Sequence, residues 1–344
     1  MRTPVGVAVA AVVMAAAAYA FSPRAVRPST DTARPIDRMH VNSIAASRAG
    51  HVAGGEFGQL MLSSDQGRHW RPAVLSAQRQ ALITQVAFAG RDAGPDSGHA
   101  TGIAVGHEGW ILRSEDGGQR WREQAFDQEN GEPLMGVASL APGCWVAVGA
   151  FGRALASDDD GKTWRRLAIE GVEDRHLNRI AGAADGRHWL IVGERGLVLR
   201  SGDGGASWEA AAPFYKGSFY GAARLGQSTW IVYGMRGNVF RSADDGLTWA
   251  RASVPAPVST FGHAVAPDGR LLLAGQGGTV LESRDDGRSF RVAAAGGRAT
   301  LTDIALLPDG RWLLASDAGM RSHPPASPGA AAALVAQSTP GKSK

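Results

Sequence analysis

The sequence predicts an all-β chain, a seven-bladed β-propeller of four-stranded antiparallel blades. Three observations predict it. An octapeptide of the form Ser-x-Asp-x-Gly-x-x-Trp recurs along the 344 residues, a Gly-x-x-Gly turn precedes each copy, and the segments between them are apolar runs of strand length with no helical run. Four strands in a period of roughly 40 to 45 residues is the pattern of propeller blades.

The octapeptide runs Ser63 to Trp70, Ser114 to Trp121, Ser157 to Trp164, Ser201 to Trp208 and Ser242 to Trp249, with a sixth copy from Ser283 to Phe290. The serines are spaced by 51, 43, 44, 41 and 41 residues, and the long first gap holds the polar insert Arg91 to Ala100. The aspartates are Asp65, Asp116, Asp159, Asp203, Asp244 and Asp285; the aromatic corners are Trp70, Trp121, Trp164, Trp208 and Trp249, with Phe290 keeping the ring but not the indole N–H. A hairpin between the third and fourth strands explains these residue types. The carboxylate accepts backbone N–H groups of its own turn, the glycine supplies a left-handed backbone, and the hydroxyls tie the strand ends. A catalytic device needs one copy and a structural staple needs one per blade, so these residues are assigned to architecture.

The Gly-x-x-Gly turns are Gly55 to Gly58, Gly106 to Gly109, Gly149 to Gly152, Gly193 to Gly196, Gly234 to Gly237 and Gly275 to Gly278, and Ser316 to Gly319 is a worn seventh copy. After it, Met320-Arg321-Ser322 matches the Leu-Arg-Ser of earlier units, so a seventh, truncated unit is expected. One four-stranded blade cannot bury both faces alone, and a ring of blades can. The segment from Pro28 to Arg38 is the candidate for the missing closing strand, although Pro28-Ser29-Thr30-Asp31-Thr32 is poor strand sequence.

Composition bounds the rest. There are 46 glycines, about 13% against roughly 7% in average usage, which implies many tight turns. The net charge of +4 is spread among interspersed carboxylates with no basic stripe, so nucleic-acid binding is not expected. Cys144 is the only cysteine, which excludes an internal disulfide and a cysteine-based metal site; Gly143 to Val148 reads as a buried strand. Arg2, the apolar alanine-rich run from Val5 and Ala18-Tyr19-Ala20 read as an export signal over residues 1–20, cleaved before Phe21. An uncleaved anchor is the rival reading. Either way the folded part lies outside the cytoplasm, in the periplasm or its equivalent. Residues 21–38 are then a linker, 39–323 the propeller, and 324–344 a tail rich in Pro, Ala and Ser.

The repeated octapeptide resembles the Asp-box of the bacterial neuraminidase repeat superfamily. Its fuller form, in Gly109-Trp110-Ile111-Leu112-Arg113-Ser114-Glu115-Asp116-Gly117-Gly118 and in Gly196-Leu197-Val198-Leu199-Arg200-Ser201-Gly202-Asp203-Gly204-Gly205, closely resembles the photosystem II assembly and stability factor family and its relatives in non-photosynthetic bacteria. The resemblance spans about residues 40 to 322 and departs from the family in the seventh unit. It implies an exported propeller that assists a membrane protein complex, in some relatives an exporter. It implies neither catalytic residues nor a cofactor.

Sialidases carry Asp-boxes too, so an enzyme has to be weighed. No Arg-Ile-Pro occurs; the nearest string, Asn178-Arg179-Ile180-Ala181, lies mid-chain as a strand, and the mature tyrosines are only Tyr215, Tyr220 and Tyr233. The Asp158-Asp159-Asp160-Gly161 string fails as an EF-hand, because Ala156 and Leu167 stand where ligands are required. No catalytic-elbow, zinc or phosphate-loop motif is present. The alternative function is an envelope carbohydrate-active protein, a glycoside hydrolase or lectin, with Glu56, Glu108 and Glu194 in equivalent turns as its acids. Binding is expected on the Gly-x-x-Gly face, opposite the Asp-boxes, because residues there are freer of structural duty. Arg195, Arg236, Phe151, Tyr215 and Phe57 are the partner-surface candidates, aromatic and arginine side chains being the usual anchors of protein interfaces.

Overall fold

The structure, a computed structural model, describes residues 12–14, 34–90, 101–129, 131–183 and 185–324. The leader, residues 28–33 of the candidate closing strand, the Arg91 to Ala100 insert and the tail beyond Pro324 lie outside the described residues, apart from a helical fragment at 12–14. No helix among the described residues is long and apolar enough to cross a membrane.

The chain from Pro35 onward is a seven-bladed propeller of antiparallel sheets. Blade 1 comprises Val41–Ser47, Gly50–Gly55, Leu60–Ser63 and Arg71–Pro72. The first strands of blades 2 to 7 are Ile83–Phe88, Leu134–Ala141, Leu177–Gly182, Phe219–Leu225, Thr260–Val265 and Leu301–Leu306. Each packs on the first strand of the next blade, and Leu301–Leu306 packs on Val41–Ser47, so the inner strands form a closed ring. Val74–Leu75 adds a parallel fifth strand to the outer edge of blade 2.

Second strands such as Gly102–Gly106, Trp189–Gly193 and Leu271–Gly275 are buried on both faces, which is why they read as continuous β-branched and leucine runs without alternation. Their side chains feed seven apolar clusters, one at each seam between blades. At the last seam Met39, Val41 and Met61 of blade 1 meet Leu313, Ala315 and Met320 of blade 7. Cys144 opens its strand and is half-buried, because the preceding turn at Gly143 leaves it at the sheet edge.

The Asp-box closes the third hairpin of six blades by one repeated set of bonds. In blade 2, Ser114 Oγ donates to Asp116 Oδ1 at 3.0 Å and accepts the Gly118 N–H at 2.9 Å, while Asp116 Oδ1 also accepts the N–H groups of Gln119 and Arg120. Thr163, Ser207, Thr248 and Ser289 add a hydroxyl donor to the second carboxylate oxygen, and His69 takes that place in blade 1, with Nδ1 2.6 Å from Asp65. The indole N–H of Trp70, Trp121, Trp164 and Trp249 caps the box glycine carbonyl or its equivalent; that of Trp208 is buried without a partner. The box also sets blade spacing. A Cβ on Gly161 would lie 2.4 Å from Ile103 of the preceding blade, and one on Gly67 would lie 2.5 Å from Leu313 across the last seam.

Among the described residues no closing strand joins blade 7. Blade 7 has three strands among the described residues, and residues 34–38 form a turn rather than a fourth. That turn does what the linkers after blades 3 to 6 do. In blades 3 to 6 the second glycine of Gly-x-x-Gly donates its N–H to the linker ahead, at Arg175, Gly217, Val258 and Ala299; in blade 7 the Met320 N–H donates to Ile36 at 2.9 Å. Arg311 further reaches the Gln66 carbonyl, and the Ile44 N–H donates to Asp303 Oδ2 at 2.9 Å across the same seam. Among the described residues the ring is therefore sealed by apolar contact, side-chain bonds and the Met320–Ile36 backbone bond.

Two predictions follow from the boxes. Ser114→Ala leaves the buried Gly118 N–H without its acceptor and removes one of three donors to Asp116 Oδ1, and should lower stability by about 1–3 kcal/mol in a denaturant titration. The hydroxyl and backbone donors of Thr163 and Ser207 hold Asp159 and Asp203 down to about 2, and Asp244 and Asp285 reach about 2 as well, their donors outweighing partial burial. A depressed carboxylate stabilises the fold above its unfolded value and stops doing so as pH falls through the folded one. Urea midpoints should therefore fall steeply between pH 4 and pH 2, and less steeply in a chain with Asp203→Asn.

Candidate functional site

The Gly-x-x-Gly turns join the second and third strands and form a rim on the face opposite the boxes. Each is clamped at its base: the N–H after the first glycine donates to the carbonyl just ahead of its own first strand in all seven blades, from Glu56 to His40 in blade 1 through Asp317 to Thr300 in blade 7. The second variable position is then forced into the left-handed region, with φ of 55° at Phe57, 57° at Glu108, 51° at Phe151, and 53° at both Arg195 and Arg236. A glycine would sit there without strain, as Gly277 does in blade 6. Each of the five side chains is held at a cost of about 1 kcal/mol.

Phe57 and Phe151 are 40% and 55% exposed, large for aromatic rings, and Arg195 and Arg236 are exposed as well. Phe151 is braced by His176, whose ring it meets edge-on at 4.8 Å and whose Nδ1 accepts its N–H. Tyr215 lies on the linker from blade 4 to blade 5 and is half-buried against Phe219 and Phe240, 5.1 and 5.4 Å away, so it serves the seam as well as the rim. Phe151, Arg195 and Arg236 thus stand on consecutive blades with Tyr215 between the last two. Phe57 is separated from them by blade 2, where the equivalent residue is Glu108. Glu56 and Glu194 occupy the first variable position and Glu108 the second, on blades 1, 4 and 2, so these acids do not form a matched pair.

Below the rim, every first strand carries a bulge at its start. The bulge turns two successive side chains toward the next blade. The first donates to a carbonyl there: Asn42 to Ile83, Thr84 to Leu134, Asn178 to Phe219, Thr302 to Val41. The second accepts an N–H: Ser43 from Val86, Gln85 from Val137, Asp303 from Ile44. Blades 3, 5 and 6 break this polar ring with Met135-Gly136, Tyr220-Gly221 and Phe261-Gly262. Tyr220 and Phe261 stack at 5.0 Å, giving the channel mouth a half-exposed apolar arc.

The channel also gathers ionisable groups. The Tyr233 hydroxyl and His263 Nδ1 are 2.7 Å apart. Burial lowers His263 to about 4, with the Arg179 charge adding to the effect, and burial raises the Tyr233 phenol. Burial raises Asp303 to about 6 against the opposing pull of Arg179 and of the Ile44 and Ile304 N–H groups. A cleft of 490 Å³ at the outer edge of blade 2 is lined by Arg113, Glu115, Asp116, Arg120, Arg122 and Lys162, but its charges are largely satisfied among themselves, as in Arg113 with Glu115 and Arg120 with Asp116.

Residues 95–241 match the family model described as photosynthesis system II assembly factor YCF48. Over that segment, less than half of its length, the chain is similar to photosystem II assembly factors. The structure of YCF48 bound to D1 peptide superposes on this propeller with a TM-score of 0.66 at 18% identity, covering 85% of this chain and 95% of that one. YCF48 from Cyanidioschyzon merolae gives 0.65 at 16% identity, covering 85% and 97%. The WD40 propeller of Doa1 gives 0.60 at 12%, covering 84% and 94%, which marks how far the bare fold extends. No curated protein matches the chain in sequence.

The residues that sequence reasoning missed are those of the channel: Tyr220, Phe261, Tyr233, His263, Asp303 and Arg179. The signal was present in the first strands, where aligned blades show Ser, Gln, Gly, Arg, Gly, Gly and Asp at one position.

Asp303 and His263 make opposing contributions to pH dependence. A raised carboxylate stabilises the fold below its unfolded value and ceases to as pH rises toward 6; a lowered histidine stabilises it above 6.5 and ceases to as pH falls toward 4. Between pH 6.5 and 4 the two offset. In Asp303→Asn only the histidine effect remains, so the urea midpoint should decline on acidification across that window more than in the parent chain.

Proposed function

We propose that this chain is a non-catalytic exported scaffold whose Gly-x-x-Gly rim binds a membrane protein and assists the assembly or activity of its complex. The observation that carries the reading is the set of strained, exposed side chains on the rim. Phe151, Arg195 and Arg236 project from left-handed positions that glycine would fill at lower cost, and they stand on consecutive blades. Aromatic and arginine groups on a rigid frame form an interface at small entropic cost. The apolar arc of Tyr220 and Phe261 continues that surface toward the channel. The YCF48 structure that this chain resembles is bound to D1 peptide, which supports the same use of the fold here. The export signal read over residues 1–20 would place the scaffold on the outer side of the membrane.

The test is retention of an integral membrane protein from detergent-solubilised membranes of the source cell on the immobilised chain. A variant combining Phe151→Ala, Arg195→Gly and Arg236→Gly should lose at least about tenfold in retention, because interface anchors of this kind cost roughly 1–2 kcal/mol or more each. Its stability should stay within about 1 kcal/mol of the parent, since glycine relieves backbone strain there while adding freedom to the unfolded chain. Undiminished retention by the variant would rule out the rim as the binding surface.

A further inference from the structure

We propose that the cleft at the outer edge of blade 2 binds a singly charged phosphodiester, the group that anionic phospholipid headgroups share with soluble glycerophosphodiesters. The site lies away from the Gly-x-x-Gly rim and does not depend on it. The repeat shows why this cleft differs from its counterparts. In blades 3, 4 and 6 the residue after the corner aromatic is charged and paired: Arg165 with Asp158, Glu209 with Arg200, Arg291 with Glu282. In blade 2 that residue is Arg122, and Glu115 stands where Asp158 stands in blade 3. Glu115 is taken instead by the buried Arg113, which also holds Asp160 of blade 3 at 2.8 Å. Among the described residues Arg122 is therefore left without an ion pair or a side-chain hydrogen bond, and so is Lys162, which faces the same cleft from the box of blade 3. Both charges act on Glu115 from a distance and help to hold its carboxyl down.

The charge balance selects the ligand. The 490 Å³ cleft is lined by Arg113, Arg120, Arg122 and Lys162 and by Glu115 and Asp116. Asp116 is matched by Arg120, while Glu115 and Asp160 share Arg113, so one positive charge remains. A phosphodiester carries one negative charge and neutralises it; a phosphate dianion overshoots. The two unpaired cations come from different blades, and donors on two walls suit the tetrahedral oxygens of a phosphate better than a planar carboxylate. The remaining wall is apolar. It is the added strand Val74–Leu75, which blade 2 alone has among the described residues, and Val74 is 60% exposed. An exposed valine beside unpaired cations fits a group whose phosphate continues into glycerol and methylenes. A bilayer engaged at this outer edge leaves the Gly-x-x-Gly rim free for a protein in the same membrane.

Three probes separate the two sources of the phosphodiester: glycerophosphoglycerol in solution, vesicles of phosphatidylglycerol and phosphatidylcholine in equal parts, and vesicles of phosphatidylcholine alone. The full chain is titrated with the first by calorimetry and co-sedimented with the other two. Every variant carries the same leader, so any affinity of the leader for vesicles cancels in the comparison. The expected result is saturable binding of glycerophosphoglycerol, stronger capture by the mixed vesicles than by phosphatidylcholine alone, or both, and whichever occurs assigns the source. Arg122→Gln combined with Lys162→Gln should weaken that binding at least about tenfold. Both side chains are exposed and unpaired, so the fold is kept. Arg187→Gln combined with Arg251→Gln removes two exposed charges outside the cleft and should leave binding within about twofold of the parent.

The proposal is overturned by an absence of glycerophosphoglycerol binding together with equal capture by both kinds of vesicle. It is overturned as well if the Arg122 and Lys162 variant binds as the parent does, or if the Arg187 and Arg251 variant loses as much, since general surface charge then accounts for the effect. The rim reading fails separately: the Phe151, Arg195 and Arg236 variant should bind diester and vesicles as the parent does, whatever it does to retention of the membrane protein.

Discussion

The constraint on which the propeller depends is that each of its sheets has two apolar faces and can cover neither by itself. The second strands are buried on both sides, and the seven apolar clusters all lie between blades rather than within them. Stability is therefore a property of seams, and a ring with one open seam would expose two core faces at once. The Asp-boxes matter because they fix seam geometry: a buried serine and a carboxylate hold a left-handed glycine against an isoleucine or leucine of the preceding blade. The same logic explains how the ring closes without a complete seventh blade. Ile36 needs only to present a carbonyl and a side chain where linkers elsewhere present theirs, and Met320 and Leu313 receive them.

The architecture was legible because its signals are local. A serine, an aspartate and a glycine at fixed offsets form their hydrogen bonds within eight residues, so the motif can be read before any tertiary structure is known. His69 shows the limit of such reading: as a lone histidine it signals nothing, and only the geometry reveals that it replaces the threonine or serine hydroxyl at the second oxygen of Asp65. The rim residues were legible for a related reason, since they fall between conspicuous glycines. Their left-handed backbone was not, because phenylalanine, glutamate and arginine give no local sign of adopting it.

The channel lay beyond sequence reading. Tyr233 and His263 are 30 residues apart and meet through a hairpin, and Asp303 reaches Ile44 across the whole length of the chain. Arg179 sits in Asn178-Arg179-Ile180-Ala181, which reads as an ordinary strand. Strand alternation alone misplaces it as well, because the bulge shifts the register and turns adjacent side chains toward the same seam.

The two regions support one view of how such a fold acquires specificity. Most positions in a propeller are committed to repetition, and a residue that departs from the repeat has to be tolerated by its seams. Two kinds of departure occur here. On the rim, side chains persist at left-handed positions whose backbone favours glycine. In the inner ring, hydrogen-bonding pairs give way to apolar residue and glycine pairs at three blades and to an arginine at a fourth. The inner-ring departures fall on blades 3 to 6 and the rim side chains on blades 1 to 5, and both lie on the same face, whereas the box face keeps its bonding pattern almost unchanged from blade to blade. A purely structural wheel would have no physical reason to concentrate its irregularities on one face. A wheel that grips a partner would, because the surface that recognises an asymmetric molecule must itself break the symmetry of the ring.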